Sequence, residues 1–119
     1  MAQFSHLGIT AVKTVSNAVT ITNAVNSFSN SFEMIVWAGF AAIEVVSNTG
    51  TVTITQQCST DNVTWYDPVD KTGAALGAIA TALATSAYIE FDPVVSKYVR
   101  LKYAPTGSGT ITVKVIISE

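Results

Sequence analysis

The chain is predicted to be all-β: a single-domain antiparallel β-sandwich, jelly-roll-like, spanning residues 1–119. Three observations lead there. Segments of alternating apolar and polar residues recur along the chain, with Gly, Pro, Asn, Asp and Ser between them, as about seven or eight short strands joined by turns require. Helical periodicity surfaces in one ambiguous stretch, residues 73–87. At 119 residues the chain can bury one substantial core and not a second.

Residues 1–32 carry a single charge, Lys13, among Val, Ser, Asn, Thr and Ala. Residues 19–22 read as a strand and the Ser/Asn-rich stretch 23–31 as a loop. The region is equally compatible with an extended N-terminal arm packed on a neighbouring subunit and with the first strands of the domain. On the arm reading, removing residues 1–16 would leave the sandwich folded. A strand pair is expected next, residues 33–37 and 41–47, bending near Gly39.

The stretch 51–70 is the most informative. Val52, Ile54, Gln56 and Cys58 alternate with Thr51, Thr53, Thr55 and Gln57, the pattern of a half-buried strand. Residues 59–62 then supply a turn whose Asp61 and Asn62 tolerate positive φ and bond their own backbone. Trp65 and Tyr66 follow on the return, suited to seal a sheet edge. Residues 73–87 are open between readings. Leu76, Ile79 and Leu83 fall at helical spacing, while Ile79, Thr81 and Leu83 alternate like a strand; a long excursion is the expectation, with room in it for one short helix. Further on, Ile89 and Phe91 share a face until Asp92 and Pro93 end the strand. Val99, Leu101 and Tyr103 face inward, with Tyr98, Arg100 and Lys102 outward. Residues 105–109 are a turn, and Ile111, Val113, Val115 and Ile117 form the inner row of the last strand.

Composition constrains function. Charged residues make up 12% of the chain, about half the usual share, and mean hydropathy is +0.41. So little charge on a small domain points to surface covered by identical copies or by a larger assembly. The net charge of −2, with basic residues grouped only at Lys97, Arg100 and Lys102, argues against nucleic-acid binding. No secretory signal is expected at the amino terminus, and the longest apolar run, residues 34–43, is too short to span a bilayer.

Catalytic chemistry is not expected. His6 is the single histidine and stands beside no nucleophile motif. Cys58 is the single cysteine, read as a buried small hydrophobe, and one Cys with one His cannot supply a structural zinc site. Asp61, Asp67 and Asp70 are close enough in sequence to suggest calcium but match no calcium-loop spacing, and read better as turn formers. No metal or cofactor is therefore expected. The sequon at residues 62–64 is expected to be unused. Trp65, Tyr66 and Tyr88 are the candidate sugar-stacking platform, set against ordinary packing at a hairpin end.

The order of residues 59–67 (STDNVTWYD), an Ala/Thr/Gly-rich stretch, residues 88–91 (YIEF), residues 97–102 (KYVRLK), a Gly-rich turn and residues 110–115 (TITVKV) resembles small β-sandwich virion proteins of tailed bacteriophages. These are capsid decoration (cement) or head–tail accessory proteins. The resemblance spans residues 50–119. It implies a non-enzymatic structural protein that binds and stabilises the outer head surface as a homo-oligomer. Its partners would be the major capsid protein or other virion structural proteins, and its location the virion, assembled in the host cytoplasm. The Ser-x-Asp…Trp turn and the Tyr-Val-Arg-Leu strand also resemble discoidin-like, galactose-binding sandwiches, which implies carbohydrate binding as the alternative. In both comparisons Asn62 stands where a glycine is common.

Overall fold

The computed structural model describes residues 10–34 and 40–118. In chain order the strands are β1 (Thr10–Ile21), β2 (Ser27–Phe28), β3 (Phe32–Glu33), β4 (Phe40–Asn48), β5 (Thr51–Ser59), β6 (Ala80–Leu83), β7 (Ala87–Phe91), β8 (Tyr98–Gly107) and β9 (Gly109–Ser118). They form two antiparallel sheets, one ordered β1-β9-β4-β7 and the other β2-β8-β5-β6, with β3 also paired to β8. No helix occurs among the described residues. The molecule is a β-sandwich.

Alternation builds its interior. Ile43 and Val45 of β4 and Ile111, Val113 and Val115 of β9 face Val52 and Ile54 of β5 and Val99, Leu101 and Tyr103 of β8, each at most 1% exposed. Burying one such aliphatic side chain contributes about 1.5–3 kcal/mol, so these two inner rows dominate stability.

Residues 10–21, left open between arm and strand by the sequence, run along β9 from Thr10↔Ser118 to Ile21↔Gly109. Register shifts between Thr14 and Ser16 and between Ser16 and Val19 interrupt the pairing, and Ala18 takes a φ of 50°. The irregularity breaks the alternation, so that Val15 and Ser16 are both buried in succession. Ser16 Oγ then meets Tyr103 Oη at 2.8 Å, a hydrogen bond that ties one sheet to the other.

Successive strands mostly change sheet, so the connections cross the ends of the sandwich. The β4–β5 turn packs against the β8–β9 crossover at a pair of glycines. A Cβ on Gly50 would lie 2.5 Å from the Gly107 carbonyl oxygen, and one on Gly109 would lie 2.5 Å from the Gly50 nitrogen. Gln56, buried near the far end of β5, holds the β7–β8 connection: its Nε2 donates to Asp92 O (2.9 Å) and its Oε1 accepts from Val94 N (2.8 Å).

Several expectations change. The expected pair of residues 33–37 and 41–47 is not a hairpin: β3 joins β8, whereas β4 joins β9 and β7, in opposite sheets. Residues 35–39 of that region, like residues 1–9, lie outside the described residues. The Ser/Asn-rich loop contains β2, paired to β8 at Ser27↔Tyr103 and Phe28↔Lys102. The ambiguous stretch 73–87 forms β6 and no helix; β5 needs a partner along its free edge, and Ile79 N donates to Ile54 O at 2.8 Å. The expected turn at 105–109 narrows to Ser108, because β8 continues through Pro105 to Gly107. Pro105 is tolerated beside a register shift in β5, where the ladder is already broken.

Candidate functional site

The outward row of β8 is Tyr98, Arg100 and Lys102, the residues alternating with buried Val99, Leu101 and Tyr103. Arg100 is held from three sides. β2 brings Phe28 alongside, with Arg100 Cζ 3.9 Å from the ring centre. The segment returning from the β5 turn lays Trp65 on the other side at 4.5 Å. Gln57 sits directly opposite on β5 and accepts from Arg100 Nε at 2.8 Å. The guanidinium is thus clamped between two aromatic rings and fixed in rotation, a stack in which the ring quadrupoles favour the cation.

The contacts continue as a network. Gln57 Nε2 donates to Asp67 Oδ1 at 2.9 Å, and Asp67 Oδ2 lies 3.5 Å from Lys102 Nζ. Although Gln57 points outward from the sheet, it is buried, and both ends of its amide are satisfied. Burial draws the Arg100 pKa below its ordinary value while Asp67 pushes it back up; the group stays charged at neutral pH. The Gln57 hydrogen bond, helped by Lys102 and Arg100, holds the Asp67 carboxyl below the usual carboxylate range against partial desolvation.

Local turns position the lid of this site. Asp61 Oδ1 accepts from Val63 N (2.9 Å), Thr64 N (2.8 Å) and Ser59 Oγ (2.9 Å), closing the turn with Asn62 at a φ of 63°. Cys58 and Tyr66 then exchange two backbone hydrogen bonds of 3.0 Å, which carries Trp65 back over the sheet. The aromatic return is therefore one bridge and not a full strand.

The other sequence candidates distribute as follows. Trp65 and Tyr66 belong to the five-stranded face, while Tyr88 is on β7 of the opposite sheet, so the three aromatics do not assemble as one candidate sugar platform. One face of Trp65 is also occupied by Arg100. Asp61, Asp67 and Asp70 have separate tasks. Asp70 Oδ1 closes its own turn, accepting from Thr72 Oγ1 at 2.6 Å and from Thr72 N at 2.8 Å. Among the described residues no three His, Cys, Asp or Glu side chains are grouped to hold a metal ion. Cys58, expected in the core, is only half-buried; it stands near the end of β5, with Sγ 3.8 Å from Tyr66 O and its pKa raised by burial and by Asp67. Lys97 Nζ lies 5.4 Å from the Tyr98 ring centre. His6 lies outside the described residues.

Phe28 and Gln57 escaped the sequence reading. Phe28 sits in a Ser/Asn-rich stretch whose pairing nothing local announces. Gln57 looked like one more polar residue on a solvated face, and only the return of residues 65–67 over it makes it a buried connector. A second concavity, of about 530 Å³, lies on the four-stranded sheet between Phe40, Ala42, Tyr88, Glu90 and Ile116.

No family model matches the chain, and no curated protein matches it in sequence. Its architecture defines it as an antiparallel β-sandwich with an ordered cation–aromatic cluster on one outer face. Among solved structures the fold is shared with the SPBc2 prophage-derived protein YomS. The two superpose with a TM-score of 0.65 over 95% of this chain and 96% of that one, at 17% sequence identity.

Proposed function

We propose that this protein is a non-enzymatic structural component of a tailed-bacteriophage virion, a capsid decoration (cement) protein that binds the outer head surface as an oligomer. The observation that carries the reading is the end-to-end fold match to a prophage-derived protein, which covers nearly the whole of both chains. Surface chemistry supports it. The exterior is poor in charge and rich in hydroxyls, and large apolar side chains such as Val12, Phe40 and Tyr88 stand more than half exposed. Such surface is suited to contacts between subunits. Repetition over a lattice turns weak single contacts into lasting attachment. The partners are then the major capsid protein or a neighbouring virion protein. The test is to purify phage particles with and without this protein and to compare them by negative-stain microscopy, immunogold labelling and thermal release of DNA. The proposal expects label distributed over the head and earlier DNA release from particles lacking the protein. Absence of the protein from purified particles sinks the virion role, and label confined to the tail sinks head decoration.

A further inference from the structure

We propose that the clamped Arg100 is a docking site for the carboxylate of an Asp or Glu side chain on a protein partner, with Phe28 and Trp65 as its walls. The proposal relies on the virion reading only for where that partner is found. Two features of the site point outward. Arg100 spends Nε on Gln57, and among the described residues nothing accepts from its two Nη groups. Arg100 is itself partly exposed on this outer face. The guanidinium therefore presents its two-nitrogen edge, already oriented, with little conformational freedom left to lose on binding.

Charge decides the class of ligand. Beside Arg100, Asp67 is engaged by Lys102 at 3.5 Å, and among the described residues no carboxylate lies within ion-pair distance of the guanidinium; Glu33 stands further along, opposite Tyr98 across β3 and β8. The guanidinium charge is therefore left for a partner, and a single carboxylate neutralises it. A phosphate dianion or a polyanion would meet Asp67 and Glu33 as repulsive neighbours. Shape agrees: a planar carboxylate lies in the plane of the guanidinium and takes two parallel N–H bonds, while the flanking rings receive the aliphatic stem of the residue that carries it. The surroundings suit a macromolecular partner, because Arg, Trp and Tyr on an open face are the residue types that anchor protein interfaces.

The test uses the full chain, labelled with nitrogen-15. The Arg100 Nε–H and Trp65 indole N–H signals are followed during titration with N-acetyl-Gly-Glu-Gly-amide, its Gln counterpart, inorganic phosphate and methyl galactoside at matched ionic strength. The Glu peptide should move both signals and the Gln peptide neither. Arg100→Lys, which keeps the charge and loses the fork, should weaken Glu-peptide binding about tenfold or more. Asp67→Asn, which removes the competing anion, should strengthen it, and this variant preserves a readout if Arg100→Lys folds poorly. Equal response to the Glu and Gln peptides overturns the proposal. So does a stronger response to phosphate, which would indicate a nucleic acid or lipid ligand, or a response to the galactoside alone, which would indicate a sugar. A protein that binds the Glu peptide as described yet is missing from purified particles supports the site while refuting the virion role.

Discussion

Two side chains show how position sets the value of a residue. Tyr103 is fully buried, and its hydroxyl has one partner, Ser16 across the sandwich. Tyr103→Phe strands the Ser16 hydroxyl and should lower stability by about 1–3 kcal/mol in urea unfolding. The same burial pushes the Tyr103 pKa up to about 12, with Ser16 opposing the shift. An unfolded tyrosine ionises near pH ~10, so the folded state holds this proton longer. The stability this provides is complete below the unfolded value and is lost as pH climbs toward the folded one. In an alkaline titration followed by phenolate absorbance, one tyrosine should ionise late or together with unfolding, and Tyr103→Phe should abolish that step. Trp65 is worth less than its size suggests. The sequence points to packing at a hairpin end, and the structure shows a half-buried ring resting on a guanidinium. Trp65→Ala should then cost about 1–2 kcal/mol, the range of a partly desolvated cation–aromatic contact, and not the several kcal/mol of a core aromatic. An unchanged melting temperature would show that the stack contributes nothing to folding.

At the scale of elements, legibility followed locality. The inner rows of β5, β8 and β9 could be read directly, because alternation is a local signal with a period of two. β2 and β6 could not, since two and four residues carry too little pattern and their pairing is decided by distant strands with free edges. The candidate site inherits this division. Arg100 and Trp65 were visible as residues, but their meeting depends on β2 and on a bridge between Cys58 and Tyr66. Turns were readable for a different reason: Asp61 and Asp70 act on their own backbone a few residues away. The N–H groups of Thr64 and Val63 lower the pKa of Asp61, and Thr72 lowers that of Asp70. Stability from these carboxylates is present above the unfolded value of about 3.9 and is lost as pH falls through the depressed folded values. Melting temperature should therefore drop on acidification below about pH 4, and Asp61→Asn with Asp70→Asn should flatten that drop. The Gly50–Gly109 contact makes a sharper demand. Any Cβ there must displace backbone, so Gly50→Ala or Gly109→Ala should destabilise by about 1–3 kcal/mol or more, whereas Gly77→Ala, with open space around it, should leave the melting temperature unchanged.

For the whole molecule, the decisive question is whether the amino-terminal third is an accessory or part of the fold. Composition leaves both open: one charge, small and β-branched side chains, and no amphipathic face of its own. The sheet shows why such a segment needs no separate core. β1 completes the edge beside β9, Val15 is buried with the shared cluster, and Ser16 supplies the hydroxyl that bonds Tyr103. Lys13 Nζ also donates to Ser31 O at 2.8 Å, and Asn30 N to Val15 O at 2.9 Å, which fixes the approach to β3. Cutting at residue 16 therefore strips an edge strand and opens the core. Deletion of residues 1–16 should cost several kcal/mol, on the order of Val15 burial plus the lost cross-sheet hydrogen bond and ladder. Far-ultraviolet circular dichroism during urea unfolding measures this directly, with deletion of residues 1–9 as the comparison that leaves β1 intact. If the shorter deletion keeps the full-chain midpoint and the longer one loses it, residues 10–16 belong to the cooperative unit. If both keep it, the edge strand is dispensable, and the low charge of this region must be explained by contacts outside the domain.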